Sequence, residues 1–157
     1  MRLCLEREIG YINDIISFIS EDIHKYNWIF TDIEAHVFKG DLEIQDTLFE
    51  QERFYMSGKE LCDFLHQHQV LLIFGVMIAV KQTDKNILKN IPDYPIIQDN
   101  EQYWIDSYNL TIPESVMEFG FFDTSCLIFA SNNESIIKKF KKQFPTAILY
   151  SDYLELE

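Results

Sequence analysis

The chain has 157 residues, 47% of them apolar and 25% charged, which is the size and composition of one folded domain with a single core. Thirteen Lys and Arg against 26 Asp and Glu give a formal net charge of −13; that field repels nucleic-acid phosphates and anionic lipid heads and favours a basic protein partner. The longest apolar run, Val70 to Val80, is broken only by Gly75 and is about half the ~20 residues a membrane helix needs, and the opening MRLCLEREIG lacks the basic-then-apolar order of a signal peptide, so the expected setting is the cytosol.

Arg2 to Arg7 alternates Leu3 and Leu5 with Arg2, Cys4 and Glu6, a short strand pattern. From about Ile9 the period lengthens. Ile12, Ile15, Ile16 and Ile19 recur at helical spacing, which predicts an amphipathic helix to about His24. Asn27 to Phe38 alternates again, with Ile29, Ile33, Ala35 and Val37 on one face and Asp32, Glu34 and His36 on the other, a strand with one wet face. Trp28, Phe30 and Phe38 share the parity of the wet face, so a loop or a partner is expected to cover its ends. Gly40 and Asp41 end the strand, and Asp41 to Tyr55 is acidic and irregular. Ser57, with Glu60 three residues on, forms a capping box that opens a helix with Leu61, Phe64 and Leu65 as its buried stripe. Val70 to Lys81 is apolar on both faces and reads as the central strand.

Thr83 to Pro113 contains Pro92, Pro95 and Pro113 and has no clear period. A connection this long is unusual in a compact domain and is often functional, with room for short helical turns. Val116 to Phe122 and Cys126 to Ala130 read as strands joined at Asp123-Thr124-Ser125. Ser131 and Glu134 make a second capping box, opening a helix that buries Ile136, Ile137, Phe140 and Phe144 and exposes Lys138, Lys139, Lys141 and Lys142. Pro145 stops it, and Ala147 to Leu154 reads as a last strand. The expected fold is α+β, one domain over residues 1–157: a mixed, largely antiparallel sheet of about six strands with about three helices packed on one side.

Three constellations have catalytic or metal-binding spacing. Asp32, Glu34 and His36 at i, i+2 and i+4 on a strand face have the donors for a metal-dependent hydrolase, yet a solvated face of an acidic protein has the same pattern. Cys62 and His66, with His68 beyond, stand at helical i, i+4 spacing, but no third and fourth zinc ligand lies at a matching interval. Cys126 has no nearby base to activate it as a nucleophile. Three cysteines, Cys4, Cys62 and Cys126, lie far apart in sequence and are expected to stay reduced. No Gly-rich phosphate motif occurs. Neither a metal nor a cofactor is expected, and the chain is not expected to be an enzyme.

The strongest pattern is charge segregation. No Lys or Arg occurs between Lys89 and Lys138, while Asp93, Asp99, Glu101, Asp106, Glu114, Glu118, Asp123 and Glu134 fall in that interval. Its first half adds Tyr94, Tyr103, Trp104 and Tyr108. Rigid aromatics among acids are the composition of a binding hot spot, and equally that of an acidic loop whose aromatics pin it to the body. The candidate partner-binding residues are Asp93, Tyr94, Asp99, Glu101, Tyr103, Trp104, Asp106, Tyr108 and Glu114, with Glu34 on the strand face.

The chain, small and acidic, resembles the immunity proteins encoded beside bacterial polymorphic and contact-dependent toxins. Its helix and strand order from Asn27 to Ala130, with NWIFTDIEAHVF and then MSGKELCDFLHQHQVLLIF, also resembles an uncharacterised family of small bacterial domains. The first resemblance implies a module without catalytic residues that binds a cognate toxin, often a basic nuclease, and blocks its active site or substrate groove. A regulatory scaffold protein and the Asp32/Glu34/His36 hydrolase are the other readings.

Overall fold

The alternation at the start of the chain becomes strand β1 (Arg2–Glu6) in the computed structural model, which describes residues 1–6, 9–83, 96–105 and 110–156. Arg7, at the end of the expected strand, lies outside the described residues. There follow α1 (Ile12–Ile15), 3-10 turns at Ile16–Ile19 and Ile23–Lys25, β2 (Tyr26–Lys39), β3 (Leu42–Ile44), β4 (Phe54–Ser57), α2 (Gly58–Gln67) and β5 (Gln69–Lys81). A 3-10 turn at Glu101–Trp104 leads on to β6 (Met117–Phe122), β7 (Cys126–Ser131), α3 (Glu134–Gln143), β8 (Ile148–Leu149) and α4 (Tyr150–Leu154). The sheet order is β3-β2-β5-β6-β7-β1-β8, with β4 also paired to β2, and every pairing is antiparallel. The fold is α+β, and β5 lies in the interior of the sheet, as its two apolar faces predict.

Several expected boundaries move. The helix expected over Ile9 to His24 breaks into α1 and two 3-10 turns. Ser17 donates its hydroxyl to the Asp14 carbonyl (2.6 Å), a local bond that competes with the helical ladder. Asn13 then clamps this segment to the rest: its amide donates to the Leu65 and His68 carbonyls (3.0 and 2.8 Å), and its oxygen accepts from Val70 N–H (3.1 Å). The capping box at Ser57 and Glu60 forms as expected. At α3 the cap is Asn133, whose oxygen accepts from Ser135 and Ile136 N–H; Ser131 instead stays in β7 and donates to the Val116 carbonyl. The last strand shrinks to Ile148–Leu149 and turns into α4, because buried Tyr150 folds across the sheet to meet Arg2 and Trp104.

The largest departure lies in the middle of β2. Thr31 stands opposite Val76 and Glu34 opposite Phe74, so β2 takes three steps where β5 takes two. Ala35 then stands opposite Leu72, so β5 takes two steps where β2 takes one. The two bulges cancel in register, and both strands swap faces across them. Trp28 and Phe30 before the bulge, and Ile33 and Val37 after it, therefore all join the same core. The same holds on β5 for Val70 and Leu72 against Met77 and Ala79. Asp32 adopts φ +54° at the bulge, and Gly75 opposite has φ +150°, a position where a side chain would strike Ile33. Trp28 and Phe30, assigned to the wet face, are thus core residues, delivered there by one extra residue rather than by a cover, whereas Phe38, beyond the bulge, is half-buried and edge-on to Tyr11 at 5.9 Å.

The helix-side core packs Trp28, Phe119, Phe129 and Phe140 among the isoleucines of α1 and its following turn, with Phe129 stacked on Phe140 at 4.1 Å. Of the expected core residues, Ile12, Ile16, Leu61, Leu72, Ile137 and Phe140 are buried. Leu65 is half-buried on this side, and Phe74, displaced by the bulge, is half-buried on the other face of the sheet.

Candidate functional site

Along β6 the sequence MEFGFF sends Met117, Phe119 and Phe121 to the helix side, leaving Glu118, Gly120 and Phe122 on the opposite face. That face is covered by the segment around residues 96–105, the stretch before β6, and α4, which together bury Ile97, Tyr103, Ile112 and Tyr150 against Val76, Ile78, Val80 and Ile128. The cover has little regular structure, so polar pins hold it.

Three pins are resolved. At its start, the Asp32 carboxylate at the β2 bulge accepts from Ile97 N–H (2.9 Å), Gln98 N–H (2.8 Å) and the Gln98 side-chain amide (3.1 Å). In its middle, the Tyr103 ring lies against Gly120, where any Cβ would overlap it, and its hydroxyl donates to Glu118 (3.1 Å). Thr111 adds two donors to the same carboxylate, from its N–H (2.9 Å) and its hydroxyl (3.0 Å). Glu118 is only 1% exposed. Burial pushes its carboxyl above the usual range, opposed by the Thr111 and Tyr103 bonds and by the charge of Arg2. At the end of the cover, Arg2 donates to the Tyr103 and Ile105 carbonyls (2.7 and 3.0 Å), its guanidinium 4.5 Å from the Tyr150 ring centre, and Tyr150 donates to the Trp104 carbonyl (2.5 Å). Among the described residues no buried side-chain nitrogen or oxygen lacks a hydrogen-bond partner.

The structure divides the candidate partner-binding residues. Asp99, Glu101 and Glu114 are exposed on the cover, and Glu34 is exposed on β2 beyond the bulge, on the same side of the sheet. Trp104 is half-buried, edge-on to Phe122 at 4.9 Å. Tyr103 is 1% exposed and therefore unavailable to a partner; its ring is spent on Gly120 and its hydroxyl on Glu118. Asp93, Tyr94, Asp106 and Tyr108 lie outside the described residues. Glu118, counted with the acidic interval, is interior rather than surface. A signal for this was present: an acid and a glycine alternating with aromatics in a strand mark a buried polar contact and a close approach.

The other constellations come apart. Asp32 is committed to backbone amides, and exposed His36 pairs with exposed Glu43 at 2.5 Å. His66 bonds the Cys62 carbonyl within its own helix, His68 stacks on Phe64, and burial pushes the Cys62 thiol up. Among the described residues no group of three or more His, Cys, Asp or Glu is placed to hold a metal ion. Cys4 and Cys126, remote in sequence, lie diagonally across the β1–β7 pair with their sulfurs 3.5 Å apart.

The lysines of α3 and the cover lie on opposite sides of the sheet. Lys138, Lys139, Lys141 and Lys142 are exposed on α3, on the helix side, where Lys139 reaches Asp22 at 3.4 Å. The described cover residues 96–105 and 110–116 contain no Lys or Arg. Among the described residues no helix is long and apolar enough to cross a membrane.

No curated protein and no solved structure matches the chain. One family model matches residues 5–107, more than half of the chain, and takes in β2, β5 and the cover as far as Trp104. The chain therefore belongs to the family described as Protein of unknown function (DUF2691).

Proposed function

We propose that the protein is an acidic binding module of the cytosol, an immunity protein that captures a basic, nuclease-type toxin domain and neutralises it. The observation that supports this reading is the placement of charge: the described cover residues 96–105 and 110–116 carry exposed acids and no Lys or Arg, while four exposed lysines lie on α3 on the opposite side of the sheet. Asp99, Glu101, Glu114 and Glu34 stand in for phosphates at the partner's basic groove, and the field of the whole chain, −13, steers the encounter. The pins at Asp32, Glu118 and Arg2 give the cover a defined shape before binding, which lowers the ordering cost of association.

The test is binding of the purified protein to the product of the adjacent gene, followed by that product's activity with and without this chain. A complex that forms and suppresses the activity supports the reading. A basic partner that binds equally well after the cover acids are reversed contradicts it.

A further inference from the structure

Where the cover meets α4, an aromatic cleft of about 420 Å³ opens between Trp104, Phe122, Tyr150 and Tyr153, with Ser125, Cys126 and Leu154 completing its walls. Trp104 and Phe122 meet edge-on at 4.9 Å, and Tyr150 and Tyr153 are stacked with ring centres 6.0 Å apart. Each lining element also presents an exposed acid close in sequence: Glu101 in the turn of Trp104, Asp123 after Phe122, and Asp152 and Glu155 on either side of Tyr153 and Leu154. Ser125 donates its hydroxyl to the Phe122 carbonyl (3.3 Å), which leaves its oxygen able to accept.

Aromatic walls carry negative faces, and the exposed acids next to them in sequence add to their field, so the complementary guest is a cation with an apolar stem. Arg2 shows the same chemistry from within the fold, its guanidinium lying over the Tyr150 and Tyr103 rings while bonded to two carbonyls. We propose that this cleft receives one arginine or lysine side chain of a basic protein partner, its stem between Trp104 and Tyr153 and its charged head among Asp123, Asp152 and Ser125. The inference rests on the reading of the protein as a binding module and adds to it a pocket for one anchor residue. Rim acids set the encounter rate, whereas an anchor in a partly desolvated pocket sets the lifetime of the complex.

The experiment titrates the folded protein with an arginine-containing peptide, using a citrulline-containing peptide of the same sequence as the neutral control, and follows the two tryptophan indole N–H signals by NMR. Trp28 reports the core, since its N–H is bonded to the Ile23 carbonyl (3.1 Å), and Trp104 reports the cleft. The expected result is a saturating shift at Trp104 and none at Trp28, with the citrulline peptide at least about fivefold weaker. Tyr153→Ala should weaken the arginine peptide about tenfold. Asp152→Lys, at an exposed position that leaves the walls intact, should weaken it severalfold at low salt and less at high salt. An unmoved Trp104 signal, or equal binding of the citrulline peptide, would overturn the proposal. If a basic protein partner binds and Tyr153→Ala leaves its dissociation rate unchanged, the cleft fails while the module reading stands. If the arginine peptide fills the cleft but the adjacent gene product does not bind, the cleft stands and the module reading fails.

Discussion

The two faces of the sheet are held in opposite ways. On the helix side, α1, α2 and α3 bury stacked aromatics and isoleucines, and this helical layer is attached by area: Phe140, Phe129, Phe119 and Trp28 have almost no exposed surface. On the other side a largely irregular segment is attached by a few directed bonds, to Asp32, Glu118 and Arg2, around a smaller apolar cluster. An apolar layer tolerates exchange of one hydrophobe for another of like volume, whereas a pinned layer depends on single atoms. A binding surface built on the second kind of layer can vary its exposed residues freely as long as its pins remain.

The contrast can be broken first at Phe140. Phe140→Ala removes the ring stacked on Phe129 and is expected to cost ~3–5 kcal/mol in chemical denaturation, since the surrounding rings cannot collapse into the space. Phe74→Ala, at a half-buried position on the pinned side, should cost clearly less. Equal losses at the two sites would mean that the faces are not packed differently.

Asp32→Ala is next. It deletes the acceptor of two backbone amides and places Ala at φ +54°, and the loss should be ~1–3 kcal/mol, smaller for Asp32→Asn, which tolerates the left-handed conformation. Hydrogen exchange should quicken at Ile97 and Gln98 while β6 and β7 stay protected. Uniform loss of protection across the sheet would show that the cover is not a separate layer.

Glu118 gives a pH signature. A carboxyl whose pKa is raised by folding keeps its proton in the folded protein while the unfolded chain has lost it. The unfolded state then binds fewer protons, so stability falls as pH rises from the ordinary value of 4.5 through the raised folded pKa. Glu118→Gln should flatten that slope in denaturation curves recorded across the acid range. A wild-type slope that survives the substitution would assign it to other groups.

The smallest effect concerns the thiols. Cys62 is half-buried, whereas Cys4 and Cys126 are 1% and 7% exposed, so one thiol per chain should react quickly with a bulky thiol reagent in the native state and two only as the protein unfolds. Peptide mapping finding Cys4 labelled first would contradict the packing of β1 against β7.

Much of the helix side is legible in the sequence, because period and capping are local properties. The Ser57–Glu60 box, the stripe of α2, the buried length of β5 and the lysine face of α3 all follow from residues within a few positions of one another. The bulge at Asp32 does not, because a parity count assumes an unbroken strand and one extra residue reverses every assignment beyond it. Tyr103 illustrates the same limit at the candidate site. Its neighbours in sequence mark it as a surface anchor, and only the pairing of the cover with Gly120 and Glu118, fifteen or more positions on, makes it interior. Trp104, Asp99, Glu101 and Glu114 keep accessible surface because no such partner faces them fully. The neighbouring sulfurs of Cys4 and Cys126 depend on strand order, which spacing along the chain does not encode.

The central claim is that the pinned, acidic side meets the partner and the lysine-bearing side does not. Its most direct test is the association rate with the adjacent gene product, measured against salt for two charge-changed proteins whose folding is verified by circular dichroism. Asp99, Glu101 and Glu114 changed together to Lys should slow association at low salt and flatten its salt dependence, because exposed charges are screened within about 8–10 Å at 0.1–0.15 M. Lys141 and Lys142 changed to Glu, on the opposite side of the sheet, should leave the rate nearly unchanged. A rate that is insensitive to the first change and altered by the second would place the binding surface on the helix side and contradict the account.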